Sequence, residues 1–369
     1  MASNSNPHHL LTMMKNTLFK LTTLTSAVLL AACGGGSDTG TTPQTPAPQV
    51  TQSVALVTNV PEPTYVRGSG EQLAFDYLNN ERTHCGFGKV AQSTQLDVSG
   101  LNHASYRAAN PTSDPHLEVA GRTGFTGVSP TDRARAAGYV TTAAGVLENG
   151  HTAFIFRNLN FTAAYDSNAL PRDAIRSLLG APYHAINGAF SSSTDFGVGF
   201  QRNESTVNGI QQVDAQVYFQ FGNGNAALGQ LPPDGTGVRT YPCQGTSNIE
   251  PAFYAEYTGG VSITPDRNTG LNPLGHPIIV IGEHGKTLEL TSATITQLSS
   301  GANLPIYLLR TKANDPNVFL YRNDWSGYVF PDQPFVSGQQ YRATVNGKSG
   351  GVAFSKTFVF GVGNAPLYW

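Results

Sequence analysis

Five side chains in the first half of the chain have the chemistry of a polar site. His103 stands in Leu101-Asn102-His103-Ala104, and the run Ser113-Asp114-Pro115-His116-Leu117-Glu118 follows it closely. A histidine on a helix followed by a loop His-x-Glu can bring imidazole and carboxylate into one cleft if the fold joins the two segments. Leu147-Glu148-Asn149 and Pro182-Tyr183-His184 are later pieces able to complete such a group. Taken singly, each has a plainer reading: a satisfied helix-edge histidine, a solvated loop carboxylate, a hydrogen-bonding histidine after a helix. His116 is either an added cleft residue or a solvated loop histidine.

The elements that must position these residues are legible from periodicity. Residues 71 to 82 carry Leu73, Phe75, Tyr77 and Leu78 among polar residues and predict an amphipathic helix ending at Cys85-Gly86. Residues 94 to 109 predict a second, with Leu96, Leu101, Ala104 and Ala108 near one stripe and a stop at Asn110-Pro111. His103 sits at the edge of that stripe. Ser129-Pro130-Thr131-Asp132 combines an N-cap, a first-turn Pro and an acidic residue, and so starts a third helix. Leu170-Pro171 opens a fourth, which Gly180 closes. The period then changes to two across residues 196 to 200 and 213 to 221. Helices followed by antiparallel strands predict an α+β or layered αβα first domain, residues 71 to 225.

Further on, residues 226 to 245, with Leu231-Pro232-Pro233-Asp234-Gly235, read as a linker. Apolar segments at 278 to 281, 288 to 290, 306 to 309, 318 to 321, 340 to 345 and 354 to 360, separated by turn residues, predict an all-β sandwich over 246 to 369. Asn346-Gly347 marks a hairpin loop. Trp325, Tyr328 and Phe330 are either core anchors or a carbohydrate-stacking surface.

Composition bounds the function. Charged residues are 12%, hydrophobic residues 39%, and the net charge is −2, and no Lys/Arg run interleaves with aromatics, which sets nucleic-acid binding aside. Lys15 and Lys20 precede an apolar run ending Leu30-Ala31-Ala32-Cys33, too short to span a bilayer and shaped as an export signal, residues 1 to 33. Its last four residues resemble the bacterial lipobox, which implies acylation of Cys33 and a membrane-anchored lipoprotein of the cell envelope, facing the periplasm or exterior. Residues 34 to 70, rich in Gly, Thr, Pro and Gln at their start, predict a disordered tether. With Cys33 committed to lipid, Cys85 and Cys243 are left, and an oxidising compartment favours a disulfide between them, the alternative being two unpaired buried thiols.

The order of features resembles the CAP superfamily (cysteine-rich secretory proteins, antigen 5 and pathogenesis-related proteins) in its bacterial secreted form. The resemblance rests on Leu78-Asn79-Asn80-Glu81-Arg82, Asn102-His103-Ala104, His116-Leu117-Glu118, Asp132-Arg133-Ala134-Arg135-Ala136-Ala137-Gly138-Tyr139, Glu148-Asn149, Pro182-Tyr183-His184 and Phe196-Gly197-Val198-Gly199. It implies an αβα sandwich whose cleft holds His103, Glu118, Glu148 and His184, followed by an Ig-like β domain. Leu147 stands where the family usually has Gly. Two imidazoles, His103 and His184, would then hold a divalent ion such as Zn²⁺ or Mg²⁺ weakly, with Glu118 or Glu148 as base if the protein is an enzyme.

Other catalytic motifs fail on context. Gly347-Lys348-Ser349-Gly350-Gly351 fits G-x-S-x-G, but it lies between strand-like segments where a nucleophile elbow needs a strand-to-helix turn. No H-E-x-x-H or C-x-x-C is present. The sequence therefore leads to an exported binding protein for an extracellular ligand (lipid, envelope glycan or protein), the alternative being a metal-assisted hydrolase, plausibly a peptidase.

Overall fold

The computed structural model describes residues 56–364, apart from 141–144, 225–236, 254–256, 259–260, 265–266, 268–270 and 322. The signal segment with Cys33, the start of the tether and most of the Pro-rich linker lie outside the described residues. Secondary structure is mixed, with helices concentrated before residue 190 and strands after it.

Local signals set the helix ends. Helix α1 (Gly70–His84) begins at Ser69, whose hydroxyl accepts from the Gln72 amide, and α2 (Thr94–Ala109) begins at Ser93 in the same way. Helix α3 (Pro130–Ala136) carries a complete capping box between Ser129 and Asp132. Helix α4 (Leu170–Leu179) stops at Gly180, and a short turn, α5 (Pro182–His184), follows. The first sheet has the order β1 (Ala91–Gln92), β3 (Asp195–Val207), β4 (Ile210–Gly222), β2 (Leu147–Asn158), with only the β1 and β3 pair parallel.

Helices cover both faces of this sheet. On one face α2 lies so close to β3 that a Cβ on Gly199 would overlap the Gly100 backbone, and a Cβ on Gly100 would come within 2.9 Å of the Gly199 amide. Glycine is required at these positions because backbone meets backbone. The other face, with Phe196, Val198, Val217, Phe219 and Phe221, is buried in the cluster that also holds Ala74, Phe75 and Leu78 of α1 and Ala174, Ile175 and Leu178 of α4.

The strands of the second half are β5 (Arg239–Tyr241), β6 (Ala252–Phe253), β7 (Tyr257–Thr258), β8 (Val261–Ser262), β9 (Leu274–Gly275) and β10 (Ile278–Ile281). They continue as β11 (Leu288–Gln297), β12 (Asn303–Leu304), β13 (Ile306–Thr311), β14 (Ser326–Pro331), β15 (Gln340–Ser349) and β16 (Val352–Gly361). Two four-stranded antiparallel sheets result, ordered β13-β14-β10-β5 and β12-β11-β15-β16, with the pairs β6 to β9 and β7 to β8 beside them. All four residues of β10 are buried, the pattern of a strand covered on both faces. The first half supplies one of those covers: the Tyr183 hydroxyl donates to Asp315 and its ring meets Tyr328 edge-on, and the Phe190 ring packs at a tilt against Tyr241. One apolar cluster thus runs from Ala74 to Val362.

Two local expectations are corrected. Residues 318 to 321 do not form a strand; Val318–Leu320 is a 3₁₀ turn, because the Asp315 carboxylate accepts from the Asn317 amide and commits the chain to turning. The hairpin between β15 and β16 turns at Gly350-Gly351, both at positive φ, while Asn346-Gly347 lies within β15. Gly347 is needed there because a Cβ would strike the Glu289 carbonyl, beside an irregularity in the pairing of β11.

Cys85 and Cys243 are joined, with Cα atoms 5.5 Å apart, across a sequence separation of 158 residues. The bridge ties the end of α1 to the segment after β5. The Cys85→Ser/Cys243→Ser double variant should unfold at lower denaturant, with a loss of about 2–5 kcal/mol. Stability equal to the native chain would count against a structural bridge.

At the same junction, burial pushes the Glu81 carboxyl up to about 7, with Arg176 opposing, and burial does the same to Glu250, opposed by the Ser177 hydroxyl and Arg176. A raised carboxyl stabilises fully below its unfolded value of about 4.3, and that contribution is lost as pH rises through the folded value. Glu250→Gln should therefore raise the denaturant midpoint at pH 8 more than at pH 4. An equal effect at both pH values would refute the assignment.

Candidate functional site

The close approach of α2 to β3 brings His103 down onto the sheet, fully buried. Its ring packs edge-on against Tyr218 of β4, with centroids 4.4 Å apart. After α2 the loop is pinned from both sides. The Arg107 guanidinium donates to the Ser113 carbonyl and hydroxyl, and the Asp114 carboxylate accepts from the His116 and Leu117 amides at 2.8 Å each. Glu118 is thereby delivered under α2, where its carboxylate accepts from the Thr126 amide at 2.6 Å and the Gly127 amide at 3.3 Å.

His103 is saturated at both ring nitrogens. Nδ1 lies 2.9 Å from Glu118 Oε1; Nε2 lies 3.0 Å from the Pro115 carbonyl and 3.6 Å from Glu148 Oε1. Both ring nitrogens are therefore engaged within the group. Glu148 enters from β2, opposite Gln220 of β4, whose side-chain amide donates to Glu148 Oε2. The His116 Nδ1 is 3.1 Å from Glu148 Oε1, and the His116 side chain is 39% exposed, against 1% for Glu148. Three of the residues expected together are therefore together, and His116 joins them.

Arg133 holds the group. Presented by the capped α3, its guanidinium donates to Glu148 Oε2 at 2.7 Å and to the His116 carbonyl at 3.0 Å, and its Nε lies 3.7 Å from Glu118 Oε1. It is 1% exposed. One buried guanidinium thus stands against two buried carboxylates, the kind of pairing that removal of charge from water requires.

His184 is placed elsewhere. Side chains alternate along β2, so that Glu148 faces α2 and α3 while Asn149 and His151 face the other way. Asn149 donates to the His184 carbonyl at 3.2 Å, and the charge of His184 bears on His151, whose pKa burial first and His184 second bring down to about 4. The two-histidine ion site expected for His103 and His184 is thus divided across a sheet. Both ring nitrogens of His103 are taken up by Glu118 and the Pro115 carbonyl, and Arg133 stands where a cation would neutralise the carboxylates. Among the described residues no group of three or more His, Cys, Asp or Glu side chains is arranged to hold a metal ion. The donor set does not fit a resident Zn²⁺ or Mg²⁺.

No family model matches the chain, and no curated protein matches it. The site is therefore read from its own geometry. The residues that the sequence reading did not assign to it are Arg133, Gln220 and Tyr218. A signal existed for each: two carboxylates in a chain of low charge need a cation, Arg133 follows the strongest helix start, and Gln220 and Tyr218 share the polar face of an alternating strand.

The same geometry determines protonation. Burial acts to raise Glu118, but the hydrogen bonds from His103 and the Thr126 amide, with Arg133, outweigh it and hold the carboxyl below the usual range. Burial likewise acts on Glu148, and the His116 bond with the charges of His103 and Arg133 outweighs it. Both folded values lie below the unfolded value of about 4.3, so their stabilisation is present above that pH and lost as pH falls through the folded values. Glu148→Gln should cost about 3–5 kcal/mol at pH 7, because it strands Arg133, and should flatten the acid limb of the stability curve. Chemical denaturation between pH 2 and 8 measures both; an unchanged acid limb would remove Glu148 from the network.

Proposed function

We propose that the chain is an exported, lipid-anchored, CAP-like protein with an Ig-like second half, displayed in the bacterial cell envelope, which binds an extracellular ligand and does not hydrolyse it. The observation that carries this reading is the saturation of the acidic pair: Glu118 and Glu148 are each bound by buried donors, from His103, the Thr126 amide, Arg133 and Gln220. A general base must reach a substrate proton with a free lone pair. These carboxylates instead fix the loop that carries His116, the member of the group most open to solvent. The ordered pieces of the CAP resemblance, and the meeting of His103, Glu118 and Glu148, support the family; the position of His184 is the departure from it.

The anchor follows from Cys33, which the lipobox resemblance marks for acylation, with the Thr- and Pro-rich segment as spacer. Among the described residues no helix is long and apolar enough to cross a membrane.

The test uses the Cys33→Ser chain, which should leave the membrane fraction and still co-sediment with isolated envelope material. A broad peptide and ester library should show no turnover above background with this chain. Turnover that His116→Ala abolishes would overturn the binding reading in favour of hydrolysis.

A further inference from the structure

A second cavity, of about 370 Å³, lies apart from the buried acidic pair, on the side of the first sheet occupied by α5, between that face and the loops of β10 and β14. Its volume falls in the range of about 300–1,000 Å³ typical of small-ligand sites. One wall is aromatic: the rings of Trp325 and His284 meet with centroids 4.4 Å apart at 46°. Asn223, Asn323, Ser192 and Ile186 are also among the residues that line it.

These groups are held before any ligand arrives. The Trp325 carbonyl accepts from the Gly282 amide at 2.7 Å, and its amide donates to Asn323 Oδ1 at 3.1 Å. Asn323 Oδ1 also accepts from the Ser326 hydroxyl at 2.7 Å, and Asn223 Oδ1 accepts from the Thr194 amide at 3.0 Å. In both asparagines the oxygen is committed to the surrounding chain, which fixes the side chain at the cavity wall. Tyr328 and Phe330 take no part, being fully buried; of the three aromatics singled out in the sequence, only Trp325 reaches the cavity.

Charge narrows the ligand. Among the described residues, no Lys, Arg, Asp or Glu lines the cavity, and burial together with Arg239 lowers the pKa of His284, which favours a neutral imidazole. A nucleotide or an acidic sugar would bring an anion that finds no cation here. The occupant must offer an apolar face to an indole and a dense edge of donors and acceptors to amides and hydroxyls. A saccharide ring has this construction, with axial C–H groups on its face and hydroxyls around its rim.

We infer that this cavity binds a neutral saccharide, one ring of which stacks on Trp325 while its rim is read by Asn223, Asn323 and Ser192. The inference rests on the binding function proposed above and names the ligand class as glycan, at a site separate from the buried acidic pair. Rigid walls favour such a weakly apolar ligand, because little side-chain order has to be gained on binding.

Isothermal titration of the full chain with two uncharged probes, chitotetraose and cellotetraose, tests it. At least one should bind, and Trp325→Ala should weaken that binding about tenfold or more. Ser192→Trp alters an exposed position at the cavity wall and leaves the core intact, so it should abolish binding in a chain that still folds. Absence of binding by both probes, or binding that Ser192→Trp leaves unchanged, overturns the inference. Co-sedimentation with envelope material that persists in Ser192→Trp would refute the glycan site while leaving the broader binding reading standing; library turnover would refute the broader reading alone.

Discussion

One guanidinium makes the first half of this protein possible. Arg133 is buried between two carboxylates, and without it the fold would have to hold Glu118 and Glu148 away from water with a single imidazole for compensation. Around this charge the rest is arranged: the capped helix that aims it, the glycine contact that seats His103, and the loop closed over all four by the Pro115 carbonyl, which accepts from both His103 and Tyr218. The group resembles a catalytic cluster in composition and differs from one in connection. In a catalytic cluster some lone pair or proton is left for the substrate, whereas here the buried members are turned toward one another. Only His116 has a substantial exposed surface.

The legible part of the fold was the part governed by local rules. Helix starts at Ser69, Ser93 and Ser129, the stop at Gly180 and the strands expected near 278 to 281, 306 to 309, 340 to 345 and 354 to 360 follow from caps, turns and periodicity. The start of the long strand β2 was not legible, since Leu147-Glu148-Asn149-Gly150-His151 has neither apolar alternation nor the β-rich composition of Thr152-Ala153-Phe154-Ile155-Phe156 beyond it. It is a strand because β4 pairs with it for its whole length, which is a tertiary cause. That strand decides the site: alternation sends Glu148 to one face and His151 to the other, and a reading that left Glu148 in a loop had no means of separating it from His184.

Other misreadings have the same origin. Asn346-Gly347 is a strong turn signal taken alone, but the Gly-Gly three residues on can adopt positive φ at both positions, and the full pairing of β15 with β16 puts the turn there. Local chemistry at Asp315 and Asn317 defeats the apolar run that follows it. In each place two local signals compete, and long-range pairing or a side-chain hydrogen bond selects between them.

The two halves share one apolar cluster, and this has a functional bearing. Because β10 is covered by a second sheet on one side and by residues of the first half on the other, neither face of β10 is open to solvent. The buried contacts through Tyr183, Asp315 and Tyr328 fix how the loops of the second half stand over the first sheet. The cavity proposed to take a saccharide is lined by residues of both halves and stands beside these buried contacts. Walls held in this way suit recognition of a ligand that offers many weak polar contacts, since each contact adds affinity only when its partner is already in place. The buried charges on one face of the first sheet and the aromatic wall near the other thus answer different needs, the first keeping a loop in position and the second presenting a surface.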